Sequence, residues 1–301
     1  MVSARDVLGA TGRLRRDVPL APLTTYRLGG PARYLVEAET EADLVAAAAL
    51  ASEERLPVFV LGRGSNVVVA SAGFDGVVIR LGGGFSGRSI GSDGVVDAGG
   101  AVPLPLLARE CARAGAGGLE FFVGIPGSVG GAVRMNAGCH GSNTAEWLIT
   151  ARVLSLQTGV AGDRSPGDLD LSYRHSNLAD DDVVVSARFR SAATDPAAAE
   201  ERIREITRWR KATQPGGTLN AGSVFKNPPG DAAGRLVDSV GLKGFRIGGV
   251  EVSSRHANFF VADAGAAPED VHALVVAVRE RVRAATGVEL EPELRFVGVF
   301  E

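Results

Sequence analysis

The sequence predicts a mixed fold, of α+β or α/β type, in about two domains, and three observations predict it. The chain has 301 residues, and domains usually hold ~100–200. Short β-branched runs alternate with helical stretches through the first two thirds. At Asp195 the composition shifts to alanine and charge, which places a domain boundary near 191–195.

Taken in order, strands are expected at 33–38, 57–61, 77–81, 95–98, 152–157 and 183–189. A first helix is expected over 41–55, with Thr40 as its N-cap and alanines and leucines on one face. A second, 104–114, starts beside Pro103 and stops at Gly115. Beyond the boundary an amphipathic charged helix runs from Pro196 to about Lys211, followed by the Gly/Pro-rich stretch Gln214-Pro215-Gly216-Gly217. A short helix around 231–240 and strands near 245–250 and 258–262 come next. A long helix, 268–286, is ended by Gly287, and a last strand, 294–299, closes the chain.

Composition excludes several classes. Forty of the 301 residues are glycine, about 13 % against a typical ~7 %. They cluster rather than recur every third position, so collagen is excluded and glycine-dense turns are implied. A net charge of −3 argues against nucleic-acid binding, which needs a dense cationic face. Cys111 and Cys139 are too few for a disulfide framework and lack the spacing of a metal site, so no metal is expected and a reducing cytoplasm fits. The N-terminus lacks the basic start and apolar core of an export signal. The longest apolar run, 44–51, covers eight residues, whereas a membrane span needs about 20.

Five motifs are candidates for chemistry. Gly62-Arg63-Gly64-Ser65-Asn66 follows a predicted strand, and its glycines let backbone N–H groups turn towards an anion such as a diphosphate; a plain tight turn is the alternative. Val67 stands where a Rossmann fingerprint needs a third small residue, so that reading fails. The literal G-x-G-x-x-G at Gly82, Gly84 and Gly87 precedes a polar stretch rather than a helix and reads as a connection between strands. The longer cluster Gly124-Ile125-Pro126-Gly127-Ser128-Val129-Gly130-Gly131, continuing to Asn136-Ala137-Gly138, allows backbone to lie against a bulky planar ligand or diphosphate; a glycine-rich core turn is the alternative. Tyr173-Arg174 offers a guanidinium fork for a carboxylate. Gly222-Ser223-Val224-Phe225-Lys226-Asn227-Pro228 lacks the histidine base and G-x-S-x-G elbow of a serine nucleophile. In Leu290-Glu291-Pro292-Glu293-Leu294-Arg295-Phe296, Glu293 and Arg295 share one face of a predicted strand.

In this order these motifs, with Thr25-Tyr26-Arg27-Leu28-Gly29-Gly30-Pro31-Ala32 and His256-Ala257-Asn258-Phe259, resemble the UDP-N-acetylenolpyruvoylglucosamine reductase family of bacterial cell-wall synthesis, across all but the first ~20 residues. The resemblance implies an α+β protein: a 1–20 extension, an FAD-binding region of two subdomains over 21–193, similar to vanillyl-alcohol-type oxidases, and a substrate-binding domain over 194–301. It implies non-covalent FAD held by Gly62 to Asn66 and by Gly124, Ile125, Pro126, Gly127, Ser128, Gly130, Gly131, Asn136, Ala137 and Gly138, with NADPH as hydride donor. The family's catalytic trio maps onto Arg174, Ser223 and Glu293, the carboxylate clamp, the proton donor and, if burial keeps it protonated, a hydrogen-bond donor to the developing enediolate. The 48 positions between Arg174 and Ser223 contain no tyrosine, as in the family's shorter form. A lysine of the longer form is replaced by Thr213 or Gln214, with Arg210 and Lys211 close by. Tyr173, Arg210, Lys226 and Asn227 are the expected contacts to the UDP-sugar substrate. A monomeric cytoplasmic enzyme of peptidoglycan synthesis is expected. An FAD-dependent oxidase using oxygen, and a non-catalytic flavin or sugar-nucleotide sensor, are the competing readings.

Overall fold

The computed structural model describes residues 3–300, and its contacts gather into two compact units. Of the described residues, the first unit holds 3–16, Arg33–Arg63 and Gly76–Trp209; the second holds Asp17–Ala32, Gly64–Asp75 and 210–300.

Two sheets organise the first unit. In a four-stranded sheet the order is Leu14–Pro19, Pro31–Ala38, Phe74–Leu81, Val58–Val60, with the last pair parallel. The helix Glu41–Glu54 packs on it through Leu44, Ala47 and Leu50, which meet Val36, Val77 and Ile79 in one buried cluster. This helix starts where the sequence places it because Thr40 and Asp43 form a capping box: each side chain takes up a backbone N–H that the first turn leaves unpaired.

The second sheet is antiparallel, in the order Ala161–Arg164, Leu148–Ser155, Asp182–Arg190, Val95–Gly99, Arg88–Ile90. Phe189 of its central strand meets Phe122 edge-on at 5.6 Å. Around them the helix Leu104–Arg113 and Ala199, Ile203 and Ile206 of the helix Pro196–Thr213 complete a separate core. The first unit thus holds two sheets, each with its own core.

In the second unit the helix Pro268–Thr286 buries Val271, Leu274, Val275, Val278 and Val282 along one face, the spacing of an amphipathic helix. It joins a core with the small sheet Arg246–Ile247, Val250–Val252, Phe260–Ala262 and with Val68. Val67–Val69 pairs in parallel with Arg295–Val297. Tyr26 is fully buried and donates its hydroxyl to the Phe260 carbonyl at 3.0 Å; burial raises its pKa above the ordinary phenol value.

Three expectations are revised. The 1–20 extension is replaced, over residues 3–20, by chain that belongs to the fold, for Ser3 caps the helix Ala4–Ala10, whose Leu8 lies in the first unit's core. The contacts divide at 209/210 rather than 193/194, and they move 17–32 and 64–75 into the second unit. Residues 88–90, read as polar loop, form a strand because Gly91 and Gly94 turn the chain back onto Val95–Gly99. Gly82 and Gly84 do lie in a connection between strands, where a Cβ on Gly84 would strike the backbone of Glu39.

Candidate functional site

In the first unit Gly62 and Arg63, which open one glycine loop, meet the other. The Arg63 guanidinium donates to the Pro126 carbonyl at 3.2 Å. A Cβ added to Gly62 would stand 3.1 Å from the Ser128 hydroxyl oxygen, tighter than ordinary contact. Ser128 is only 4 % exposed, yet its hydroxyl bonds no group among the described residues. Gly62, Arg63, Ser128, Gly130 and Gly131 line one cleft with Arg80, Gly100 and Arg134. Gly130 sits where a Cβ would press on the Val184 and Gly100 carbonyls at 3.1 and 3.3 Å.

These loops carry donors that the protein leaves unused. Among the described residues the N–H groups of Gly62, Arg63, Gly64, Ser65 and Asn66 find no protein acceptor, nor do those of Gly127, Ser128 and Gly131. Unpaired amides beside glycines suit an anion, and the arginines add positive charge. The second loop departs from a pure coil. Val129–Arg134 is a short helix with Ser128 in the N-cap position. A diphosphate-bearing planar cofactor such as FAD fits this donor set: narrow where glycine is required, rich in amides and cationic at the rim.

Asn136 and Gly138, expected beside the cofactor, are bound up with Arg174. Asn136 is buried with φ +37°, donates to the Ser172 carbonyl at 2.9 Å and accepts the Ala145 N–H at 2.9 Å. The Ala137 carbonyl accepts both the N–H and the hydroxyl of Thr144. Ser172 and His175 bridge across a tight turn whose third residue, Arg174, has φ +55°. Its guanidinium donates to the Gly138 carbonyl at 2.8 Å and lies 5.2 Å from the Tyr173 ring centre. The Ser176 hydroxyl closes the arrangement on the Arg134 carbonyl at 2.6 Å. A left-handed arginine is strained, and such strain persists where the surroundings over-determine it; three bonds from residues 134–138 do so here.

Ser223 and Glu293 belong to the second unit. Ser223 follows Gly222, which has φ +77° and whose N–H is taken by the Asn220 side chain. It bridges Phe259, while Phe225 bridges Pro292. Asn258 is 3 % exposed and pins the motif, accepting the Phe225 N–H at 2.9 Å and donating to the Phe225 carbonyl at 2.8 Å. Across from it, the Glu293 N–H donates to the Val224 carbonyl at 2.7 Å. Among the described residues the Ser223 hydroxyl has no hydrogen-bond partner, so its proton is uncommitted.

The remaining expected contacts are occupied within the protein. Lys226 pairs with Glu291 at 2.6 Å. Asn227 accepts the Ala233 N–H and so caps the helix Ala233–Ser239, and Arg210 donates to Gln214 at 2.8 Å. Tyr173 is more than half exposed. Two roles were missed by reading the sequence: the grip of Asn258 on Phe225 and a bond from the Asn66 side chain to the Glu293 carbonyl at 2.8 Å. Both asparagines lie in strings singled out above, but nothing local marks their partners. Ala262, at the end of the strand that follows the His256-Ala257-Asn258-Phe259 string, is buried and donates its N–H to the Leu219 carbonyl.

Comparison with known proteins agrees along the chain. Residues 214–297 match the C-terminal domain of UDP-N-acetylenolpyruvoylglucosamine reductase, and residues 32–161 match an FAD binding domain. The reductase of Parasynechococcus marenigrum is 44 % identical over 294 residues, 96 % of this chain and 97 % of that protein. The Caulobacter vibrioides reductase is 43 % identical over 291 residues, covering 96 % of each. The crystal structure of UDP-N-acetylenolpyruvylglucosamine reductase from Thermus caldophilus superposes with a TM-score of 0.82 at 37 % identity, over 95 % of this chain and 99 % of that one. With both domains matched, both lengths covered and the donor-lined loops in place, the chain belongs to the UDP-N-acetylenolpyruvoylglucosamine reductase family.

Proposed function

We propose that Arg174, Ser223 and Glu293 carry out the family's reaction in this chain, reducing the enolpyruvyl group of UDP-N-acetylglucosamine enolpyruvate to the lactyl ether of UDP-N-acetylmuramate, a precursor of peptidoglycan. When bound, FAD supplies the hydride relay, from NADPH to carbon 3 of the enolpyruvyl group. Gly62 to Asn66, Gly127, Ser128 and Gly131 hold that cofactor without a covalent link, through backbone N–H groups that have no acceptor among the described residues. Addition of hydride at carbon 3 leaves negative charge at carbon 2, delocalised into the carboxylate. The chemistry then asks for a cation at the carboxylate and an acid at carbon 2. The Arg174 fork meets the carboxylate, held in place by its strained turn. Ser223 passes its hydroxyl proton to carbon 2, so that one hydride and one proton have added across the double bond. Glu293 stabilises the enediolate as its charge develops.

The observation that carries this reading is the uncommitted Ser223 hydroxyl on a backbone fixed by the buried Asn258. Tyr173, Arg210, Lys226 and Asn227 are the proposed contacts to the sugar nucleotide. The enzyme acts as a monomer in the cytoplasm, where Cys111 and Cys139 remain thiols. Among the described residues no helix is long and apolar enough to cross a membrane.

The test is to mix the purified yellow protein with NADPH and the enolpyruvyl sugar nucleotide and to follow nicotinamide and flavin absorbance together. Nicotinamide oxidation that requires the enolpyruvyl compound is expected. Turnover with oxygen alone, or a flavin that NADPH never reduces, contradicts the reading.

A further inference from the structure

Asn66 ends the first glycine loop, where the family resemblance leads one to expect a cofactor contact. Its side chain is directed elsewhere. The Nδ2 group donates to the Glu293 carbonyl at 2.8 Å, and the Asn66 carbonyl accepts the Arg295 N–H at 3.0 Å. One residue therefore straddles 293–295, with its main chain on Arg295 and its side chain on Glu293. The parallel pair that begins at Val67 and Arg295 is extended by one rung through a side chain that imitates a backbone amide. On the opposite side the Glu293 N–H goes to the Val224 carbonyl, and Pro292, lacking an N–H, bridges Phe225. Both backbone polar groups of Glu293 are thus tied, one to the serine motif and one to Asn66.

We infer that Asn66 is a positioning residue for Glu293, joining the segment that carries the carboxylate to the loop that ends at position 66. Only asparagine meets the requirement among near neighbours in shape. Aspartate would set a carboxylate oxygen against the carbonyl oxygen of Glu293, alanine removes the donor, and glutamine displaces it by one methylene. Without this bond the Glu293 carbonyl loses its tie to Asn66, and misplacement of a reacting group by about 1 Å costs about 10²-fold in rate. The inference rests on the assignment of Glu293 made above.

The experiment uses the flavin-loaded full chain in four forms: wild type, Asn66→Ala, Glu293→Ala and the double variant, with Asn66→Asp as a second probe. Rapid mixing measures the oxidation of bound flavin by the enolpyruvyl sugar nucleotide, and fluorescence titration measures flavin affinity. Asn66→Ala and Asn66→Asp should each slow the enolpyruvyl step by about 10²-fold. In the Glu293→Ala background, Asn66→Ala should add less than about twofold, because its effect passes through a residue already removed. If Glu293→Ala is slow while both Asn66 variants stay within about threefold of wild type, the inference is overturned and the Glu293 assignment stands. If Glu293→Ala is itself as fast as wild type, that assignment falls and the inference with it. A loss that persists undiminished in the Glu293→Ala background, together with weakened flavin binding, makes the Asn66 side chain a cofactor contact rather than a tie to Glu293 and also overturns it.

Discussion

Replacing Asn258 with alanine tests how the serine motif is held. Asn258 is 3 % exposed and Phe225 is 1 % exposed, and the two share hydrogen bonds of 2.9 and 2.8 Å. Alanine deletes both partners at once. The Phe225 N–H and C=O then remain buried and unpaired, at about 1–3 kcal/mol each, hence about 2–6 kcal/mol together. A water entering the vacated volume would recover part of this. Against a total stability of about 5–15 kcal/mol the loss is large, and it falls on the segment that carries Ser223. The exposed Asn177, whose side chain makes one bond to the Asp168 carbonyl at 2.8 Å, is the control. Its alanine variant should lose about 0.5–1.5 kcal/mol. Urea unfolding followed by circular dichroism compares the two. If Asn258→Ala loses less than about 1 kcal/mol, or no more than Asn177→Ala, the bracket is not what holds the motif.

Three further outcomes follow from individual environments. Gly64 has φ +63°, and a Cβ there would strike the Leu23 carbonyl and lie 2.7 Å from Thr24 Cα; Gly64→Ala should therefore lower both thermal stability and flavin retention, and a fully flavinated, equally stable variant would show the close approach to be unimportant. Burial pushes the Cys111 thiol up to about 12, so iodoacetamide at pH 8 should leave it unmodified in the native protein and label it only after denaturation, as peptide mass spectrometry will read. Burial, aided by Lys243, lowers the His256 imidazole below its ordinary 6.5, and its Nδ1 accepts the Asn258 N–H at 3.3 Å. The unfolded chain therefore binds that proton more readily than the folded one, and stability contributed by the neutral ring above pH 6.5 is lost as pH falls through the folded value. Urea stability of wild type should drop more than that of His256→Gln between pH 7.5 and pH 5; parallel profiles contradict this.

The helices at Glu41–Glu54, Leu104–Arg113, Pro196–Thr213 and Pro268–Thr286 were legible because their signals are local: Thr40 with Asp43 at a start, Gly287 in a left-handed conformation at an end, apolar residues three and four apart between them. Position in sequence did not disclose which segments would gather in space. Residues 67–69 pair with 295–297, and a pairing so remote leaves no mark in either string, which is why the second unit's early segments went unseen. The site divided in the same way. Glycine clusters announced close approach and unpaired amides, and they are found together where Arg63 meets Pro126. The asparagines are ambiguous in isolation, because one residue type serves as ligand contact or as backbone bracket. Asn66, Asn136, Asn227 and Asn258 all use their side chains on the protein's own main chain.

The account turns most directly on Ser223, whose proton is assigned to only one of two half-reactions. Ser223→Ala removes one oxygen that bonds nothing among the described residues, so folding and flavin binding should survive. In rapid-mixing experiments the reduction of bound flavin by NADPH should keep its wild-type rate. Oxidation of that flavin by the enolpyruvyl sugar nucleotide should slow by about 10²–10⁴-fold, the usual consequence of losing a general acid, and Ser223→Cys should recover part of the loss. Both half-reactions unchanged in the alanine variant would remove Ser223 as the acid, and a slowed NADPH step with an intact enolpyruvyl step would contradict the assignment of its motif to substrate chemistry.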